Sequence, residues 1–368
     1  DHRDLHSFPT RRSSDLEFPW EFYRAFAEAG WLGIAIPPEY GGAGLGISEA
    51  ALLLEEVAAS GAAMNGATAL HLTIFGLNPV VKHGSHDLKQ EILPAAASGE
   101  LHVAFSITEP DAGSDTPSIS TTATRDGDHY ILRGKKVWTS KAQESSMALV
   151  LARTTPASQC KRRTDGMTLF IADLEPACVT VREIPKLGRN AVDSNEVFYD
   201  DLPVPLSRVV GEEGRGFYQL LDGLNPERIL IAAEALGTGK AALNKAVGYA
   251  KSRVVFGRPI GQNQGIQFPL AGGLAKLQAA ELMVRHAAEL YDSGQPCGAE
   301  ANMAKYLAAE FAFEAADRAL QTHGGFGYAL EFDIGRYWRE ARLMRIAPVT
   351  QEMILNFLGQ HELGLPRS

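Results

Sequence analysis

The spacing of apolar residues changes twice along this chain, and that change limits the fold more than any other feature. From Gly211 onward the apolar positions recur with the helical period. The segments 225–251, 262–293, 298–323 and 336–358 each carry one apolar face. Helices of that length with short connections predict an antiparallel bundle. Upstream, between about 101 and 205, the texture differs. Residues 121–123, the Asp126-Gly127 turn and residues 130–132 read as alternation, turn, alternation, which signals a hairpin. Residues 167–173, 179–184 and 196–199 read as further short strands, with Pro and Gly between them. The first third is helical again, over 17–29, 47–59, 66–83 and 86–97.

The predicted architecture is therefore α+β and multi-domain: an N-terminal α domain over 17–100, a middle β barrel or sandwich over 101–205, and a C-terminal four-helix bundle over 206–368. Residues 1–16 are aperiodic, charged and rich in Ser and Arg, and they read as non-native or disordered sequence. At 368 residues and 45% hydrophobic composition, the chain can bury more than one layer of core. A net charge of −9 argues against general nucleic-acid binding, which needs concentrated Lys and Arg. The odd, widely spaced cysteines Cys160, Cys178 and Cys297 suggest a reducing compartment. No apolar run reaches bilayer length and no secretory signal is visible, so a cytoplasmic protein without membrane insertion is expected.

Several familiar motifs fail. Gly237-Thr238-Gly239-Lys240 resembles the end of a P-loop, but Glu234 stands where the opening glycine belongs and Ala241 follows the lysine. A tight helix–helix contact is the better reading. The glycines at 41–46 match no dinucleotide fingerprint. No H-E-x-x-H, paired C-x-x-C or G-x-S-x-G appears, so no metal site or serine nucleophile is indicated.

Other segments do fit one chemistry. Thr108-Glu109-Pro110-Asp111-Ala112-Gly113-Ser114-Asp115 is a turn-rich loop, and Lys136-Val137-Trp138-Thr139-Ser140 sets one large aromatic beside small hydroxyls. A flat cofactor carrying a pyrophosphate needs close backbone N–H groups and an apolar plate with a nearby donor. With Arg253-Val254-Val255-Phe256-Gly257, Gln321-Thr322-His323-Gly324-Gly325-Phe326-Gly327 and Arg339-Glu340-Ala341, these segments resemble the acyl-CoA dehydrogenase family over about residues 17–366.

That resemblance implies FAD as cofactor. Phe105, Ile107 and Thr108 would meet the rim of its ring, Trp138 would stack near it, and Ser140 would hydrogen-bond near the nitrogen that accepts hydride. Gly113 and Ser114 would face the pyrophosphate. Arg253, Phe256, Gln264, Gln321, Gly324 and Gly325 would reach the FAD of a neighbouring subunit, and Thr350 and Glu352 complete the cofactor set. The resemblance further implies an acyl-CoA substrate, an electron-transfer flavoprotein as acceptor, and a homodimer or homotetramer. Read alone, Trp138 could be a core aromatic, Ser114 a turn residue and Arg253 a helix-terminal charge.

The chemistry would remove an α-proton from a thioester while the β-hydride moves to flavin. Many family members carry the base late in the chain in a Y-E-G-T segment. The matching stretch here is Ala347-Pro348-Val349-Thr350, and Pro348 can neither act as a base nor offer an N–H to the thioester carbonyl. Isovaleryl-CoA and long-chain branches place the base earlier, in an E-R-L-type segment, which Asn225-Pro226-Glu227-Arg228-Ile229-Leu230 matches. The resemblance thus points to Glu227 as the base, with Asn225, Arg228 and Ser114 on the CoA side. As plain helix chemistry, Asn225 reads as an N-cap, Pro226 as the first helical residue and Glu227 as a favourable first-turn acid. An acyl-CoA oxidase or reductase of the same fold, or a catalytically weak flavin binder, stands as the alternative.

Overall fold

The computed structural model describes residues 17–367; the expectation for 1–16 lies outside the described residues. The chain opens with helices α1 (Trp20–Glu28), α2 (Ile47–Val57), α3 (Ala63–Ile74), α4 (Asn78–His83) and α5 (His86–Ala97). Sequence periodicity ran α3 and α4 together. The structure separates them at 75–77, where the chain turns before Asn78-Pro79. Between α2 and α3 the helix kinks at Gly61, whose φ of 109° suits glycine.

Strands β1 (Val103–Ser106), β2 (Thr122–Asp126), β3 (His129–Ser140), β4 (Met147–Arg153), β5 (Met167–Asp173), β6 (Val179–Glu183), β7 (Ser194–Pro205) and β8 (Val209–Val210) follow. Their order in the sheet is β6-β7-β3-β1-β4-β5-β8, with β2 pairing both β3 and β4. The expected hairpin is β2–β3, turning at Gly127 with φ 60°. Apolar side chains of β4 and β5 are buried along nearly their whole length, which removes the alternation that marks a half-exposed strand. The sequence reading includes β5 as 167–173 but neither β1 nor β4; β4 is poorer than β5 in the β-branched and aromatic residues that mark a buried strand.

Helices α6 (Gly216–Leu221) and α7 (Leu224–Ser252) come next, then the two-stranded β9 (Val254–Val255) and β10 (Arg258–Pro259). Helices α8 (Gln264–Asp292), α9 (Gly298–His323), α10 (Ile334–Leu343) and α11 (Gln351–His361) complete the chain. The segment 336–358, predicted as one helix, is broken at 344–350, where the Ala347–Pro348 bond is cis and Thr350 caps α11 through Met353 N at 3.3 Å.

α7 is the axis of the bundle. Its middle is buried between α2, α8 and α9 and is rich in Ala and Gly. A Cβ on Gly237 would lie 2.2 Å from the Glu55 carbonyl of α2, and one on Gly239 2.8 Å from Ala312 of α9. Gly237-Thr238-Gly239 is thus the tight helix–helix contact expected, not a phosphate loop. Lys240 spans the same contact, bonding Glu55 and, at 2.7 Å, Glu281.

Candidate active site

α7 begins at Leu224, not at Asn225, and Gly223 is its N-cap. Pro226 sits within the first turn, where its missing N–H has no intrahelical partner to lose. Asn225 caps nothing; its Oδ1 accepts from Arg228 Nη1 at 2.9 Å. Glu227 Oε2 points across to α3 and accepts from His71 Nε2 at 2.8 Å. Two turns further along α7, the fully buried Glu234 accepts from His71 Nδ1. Burial opposes charge on His71, but the carboxylates of Glu227 and Glu234 outweigh it and raise its pKa to about 10. The two flanking carboxylates thus favour the imidazolium form of His71, held on both sides. The Glu227 side chain is 26% exposed and the His71 side chain 5%, so the row opens towards solvent at its Glu227 end.

His71 and Glu234 were not singled out from the sequence. Their signal was faint: Glu227 and Glu234 are seven residues apart and share a helical face, and a lone His interrupts an apolar helix. His71 lies 156 and 163 positions from its two partners.

α3 also ties this row to the sheet. Thr73 accepts from Lys141 Nζ at 3.4 Å, and Asn65 Oδ1 accepts from Ala191 N at 2.9 Å. Lys141 lies against the rings of Tyr23 and Phe18, and burial lowers its pKa to about 7. Ser140, one residue earlier, accepts from Arg189 Nη2 at 3.1 Å. Arg189 in turn interacts electrostatically with Glu234 and Glu340. Ser140 and Glu227 thus stand at two ends of one polar cluster that runs through Arg189, Glu234 and His71.

The Trp138 side chain gains its position from a bulge. The β3–β7 register shifts between Lys136 and Thr139, and Trp138 adopts φ 60°. Its side chain is 57% exposed, so it is not the core aromatic that a strand would suggest. Below it, Tyr199 donates to Ser106 Oγ at 2.9 Å, and Ser106 meets Thr139 at 3.2 Å. Phe105 pairs with Ser140 in register. Ile107 and Thr108 are fixed by their carbonyls, which accept from Lys136 Nζ and Val137 N, both at 2.9 Å. Lys136 also meets Glu109 at 2.9 Å, and Glu109 receives Ser120 N and Thr121 N. Glu109 is therefore the internal anchor of the 108–121 loop. Gly113 and Ser114 lie on that loop's exposed side.

Arg253 is the C-cap of α7, and its guanidinium stacks 5.5 Å from the Phe326 ring. This brings Arg253 to the Gln321–Gly325 turn, where Gln321, Gly324 and Gly325 are exposed. Gln264 and the fully exposed Phe256 lie on the same hairpin-to-α8 stretch. Thr350 and Glu352 open α11. Beside them Lys305 Nζ holds the Val349 carbonyl at 2.7 Å; burial and Arg228 lower Lys305 to about 8 against the pull of Glu310 and Glu352. No helix among the described residues is long and apolar enough to cross a membrane.

The sequence patterns described as acyl-CoA dehydrogenase N-terminal, middle and C-terminal domains match residues 5–100, 104–202 and 214–363. The chain belongs to the acyl-CoA dehydrogenase family, whose members are oxidoreductases acting on CH–CH bonds. It is 41% identical to acyl-CoA dehydrogenase FadE12 of Mycobacterium tuberculosis over 368 residues, covering 99% of this chain and 93% of that one. Butyryl-CoA dehydrogenase from Megasphaera elsdenii superposes with a TM-score of 0.92 at 31% identity, covering 98% of this chain and 94% of that one. A structure titled as the FAD complex of PigA superposes with a TM-score of 0.89 at 27% identity, over 95% and 90% of the two chains.

FAD is accordingly the cofactor. The residues present fit it. Trp138 offers an exposed aromatic plate, and a Cβ on Gly113, Gly324 or Gly325 would meet nothing within 4 Å, leaving backbone open to approach. Arg189 Nε is buried with no hydrogen-bond partner among the described residues, a donor available beside Ser140.

Proposed function

We propose that the chain dehydrogenates an acyl-CoA thioester between its α and β carbons, with Glu227 as the base. The hydrogen bond between His71 and Glu227 carries this reading. It fixes one carboxylate oxygen and leaves Oε1 of a partly exposed side chain to take the α-proton. When bound, FAD supplies the acceptor for the β-hydride. Ser140 and Arg189 hold the flavin side, Trp138 covers the ring, and Phe105, Ile107 and Thr108 line its rim. Gly113 and Ser114 approach the pyrophosphate. Asn225 and Arg228 receive the CoA side; Arg228 Nε is buried and unpartnered among the described residues, which suits a donor awaiting a ligand. The isovaleryl-like placement of the base is supported by Pro348, which removes the later carboxylate.

Arg253, Phe256, Gln264, Gln321, Gly324 and Gly325 reach a second subunit's FAD in a homodimer or homotetramer, and Thr350 and Glu352 border the cofactor. The exposed Phe256, Phe268, Leu282, Tyr328 and Leu330 support that assembly, because monomers seldom leave so many large apolar groups in water. Electrons leave to an electron-transfer flavoprotein. The free cysteines support a reducing, cytoplasmic setting. Anaerobic titration of the purified yellow protein with a panel of acyl-CoAs tests the activity. Bleaching of the flavin with formation of the trans-2-enoyl product is expected. A panel that leaves the spectrum unchanged would refute it, and hydrogen peroxide formed in air would make the protein an oxidase.

A further inference from the structure

Resting on the reading of Glu227 as base, we propose that His71 is its positioning residue, held in place by Glu234. His71 donates from Nε2 to Glu227 and from Nδ1 to Glu234, so both ring nitrogens are committed. The imidazole cannot rotate without breaking one of the two bonds. Glu227 Oε2 is thereby pinned, and the carboxylate plane is set with Oε1 towards the open end of the row. A base misplaced by an ångström loses about 100-fold in rate. A side chain on a helix's first turn has enough freedom to be so misplaced without a partner.

The row alternates in charge, and Arg228, next to Glu227 on α7, adds a further positive group facing the base. From α7 come Glu227 and Glu234, from α3 His71, and from the loop before β7 Arg189, which feels Glu234. Beyond these stand Glu340 and Arg336 on α10, which face each other, and Lys141 after β3, which reaches α3 through Thr73. Taking away His71 leaves Glu227 facing Glu234 with a positive neighbour removed. Taking away the charge of Glu234 leaves His71 with Glu227 as its remaining carboxylate partner, while Arg189 keeps Glu340 and Asp193. The two changes act on the base in opposite directions. A purely structural role for His71 has no such opposite signs.

The test is flavin reduction by acyl-CoA in stopped flow, as a function of pH, on FAD-loaded protein. The variants are His71→Gln, His71→Ala, Glu234→Gln and Glu227→Gln. In His71→Gln the acid limb of the rate profile moves to higher pH by about one unit, and in Glu234→Gln it moves lower by a similar amount. His71→Ala, which keeps no donor, loses about 100-fold in reduction rate with little change in substrate affinity. Limbs that stay with the wild type, or move together, overturn the role of His71. Undiminished reduction by Glu227→Gln instead removes the base reading on which the proposal stands. If the His71 and Glu234 variants fail to bind FAD, nitrogen-15 histidine spectra of the wild type decide. Both nitrogens of His71 protonated at pH 8 supports the held imidazolium, and a neutral ring overturns it.

Discussion

Replacing Glu109 by Gln should loosen the 108–121 loop that it anchors. Glu109 is 4% exposed and Lys136 fully buried, with 2.9 Å between them. Burial pushes the Glu109 carboxyl up, but Lys136 and the donors at Thr121 and Ser120 pull it down to about 2. The partner responds differently: burial lowers Lys136 to about 8 in spite of Glu109. Gln keeps one oxygen for a backbone donor but loses the charge that faces Lys136. Breaking a buried pair while its lysine stays inside costs about 3–5 kcal/mol. The depressed carboxyl contributes stability above its ordinary value of 4.5, and that contribution is lost as pH falls through 4.5 towards 2. Urea unfolding of the FAD-loaded protein, followed by flavin fluorescence, is the assay. At pH 7 Glu109→Gln should release flavin at lower urea, with stability reduced by about 3 kcal/mol. The gap should narrow as the wild type is taken below pH 4.5. A variant within about 0.5 kcal/mol of wild type at pH 7 would refute the reasoning.

Two further substitutions test the helical parts. Gly237→Ala puts a methyl 2.2 Å from the Glu55 carbonyl and should destabilise the bundle by about 3 kcal/mol in urea melts; an unchanged midpoint would show that α2 yields freely. Glu340 accepts from Met64 N at 2.8 Å and from Asn65, and burial raises its pKa to about 7 despite Arg336. The native state therefore holds this proton more tightly than the unfolded chain. Its contribution is fully present below 4.5 and is lost as pH rises through 7. Glu340→Gln, which mimics the protonated form, should match wild type near pH 5 and gain on it by pH 8; parallel pH curves would contradict this.

Much of the fold was legible because long helices and a Gly-marked hairpin declare themselves by period. β4 escaped because, besides not alternating, its Met147-Ala148-Leu149-Val150-Leu151-Ala152 run is poorer in β-branched and aromatic residues than the equally buried β5. The break at 344–350 was not read, although Pro348 stood in plain view. Glu227 was singled out as the candidate base through resemblance and the loss of the later carboxylate. Its neighbours were not. His71 looks like a stray polar residue in an apolar helix, and its partners are far along the chain. Only packing α3 against α7 turns three scattered residues into a row. Trp138 likewise needed the bulge, since no sequence rule says which strand residue will be thrown outward.

The identity of the proton acceptor is tested most directly by the single-turnover reduction rate of Glu227→Gln with full FAD occupancy and a reactive acyl-CoA. We predict a fall of about 100-fold to 10,000-fold with the flavin spectrum of the resting protein intact. A rate equal to wild type would show that another group takes the α-proton.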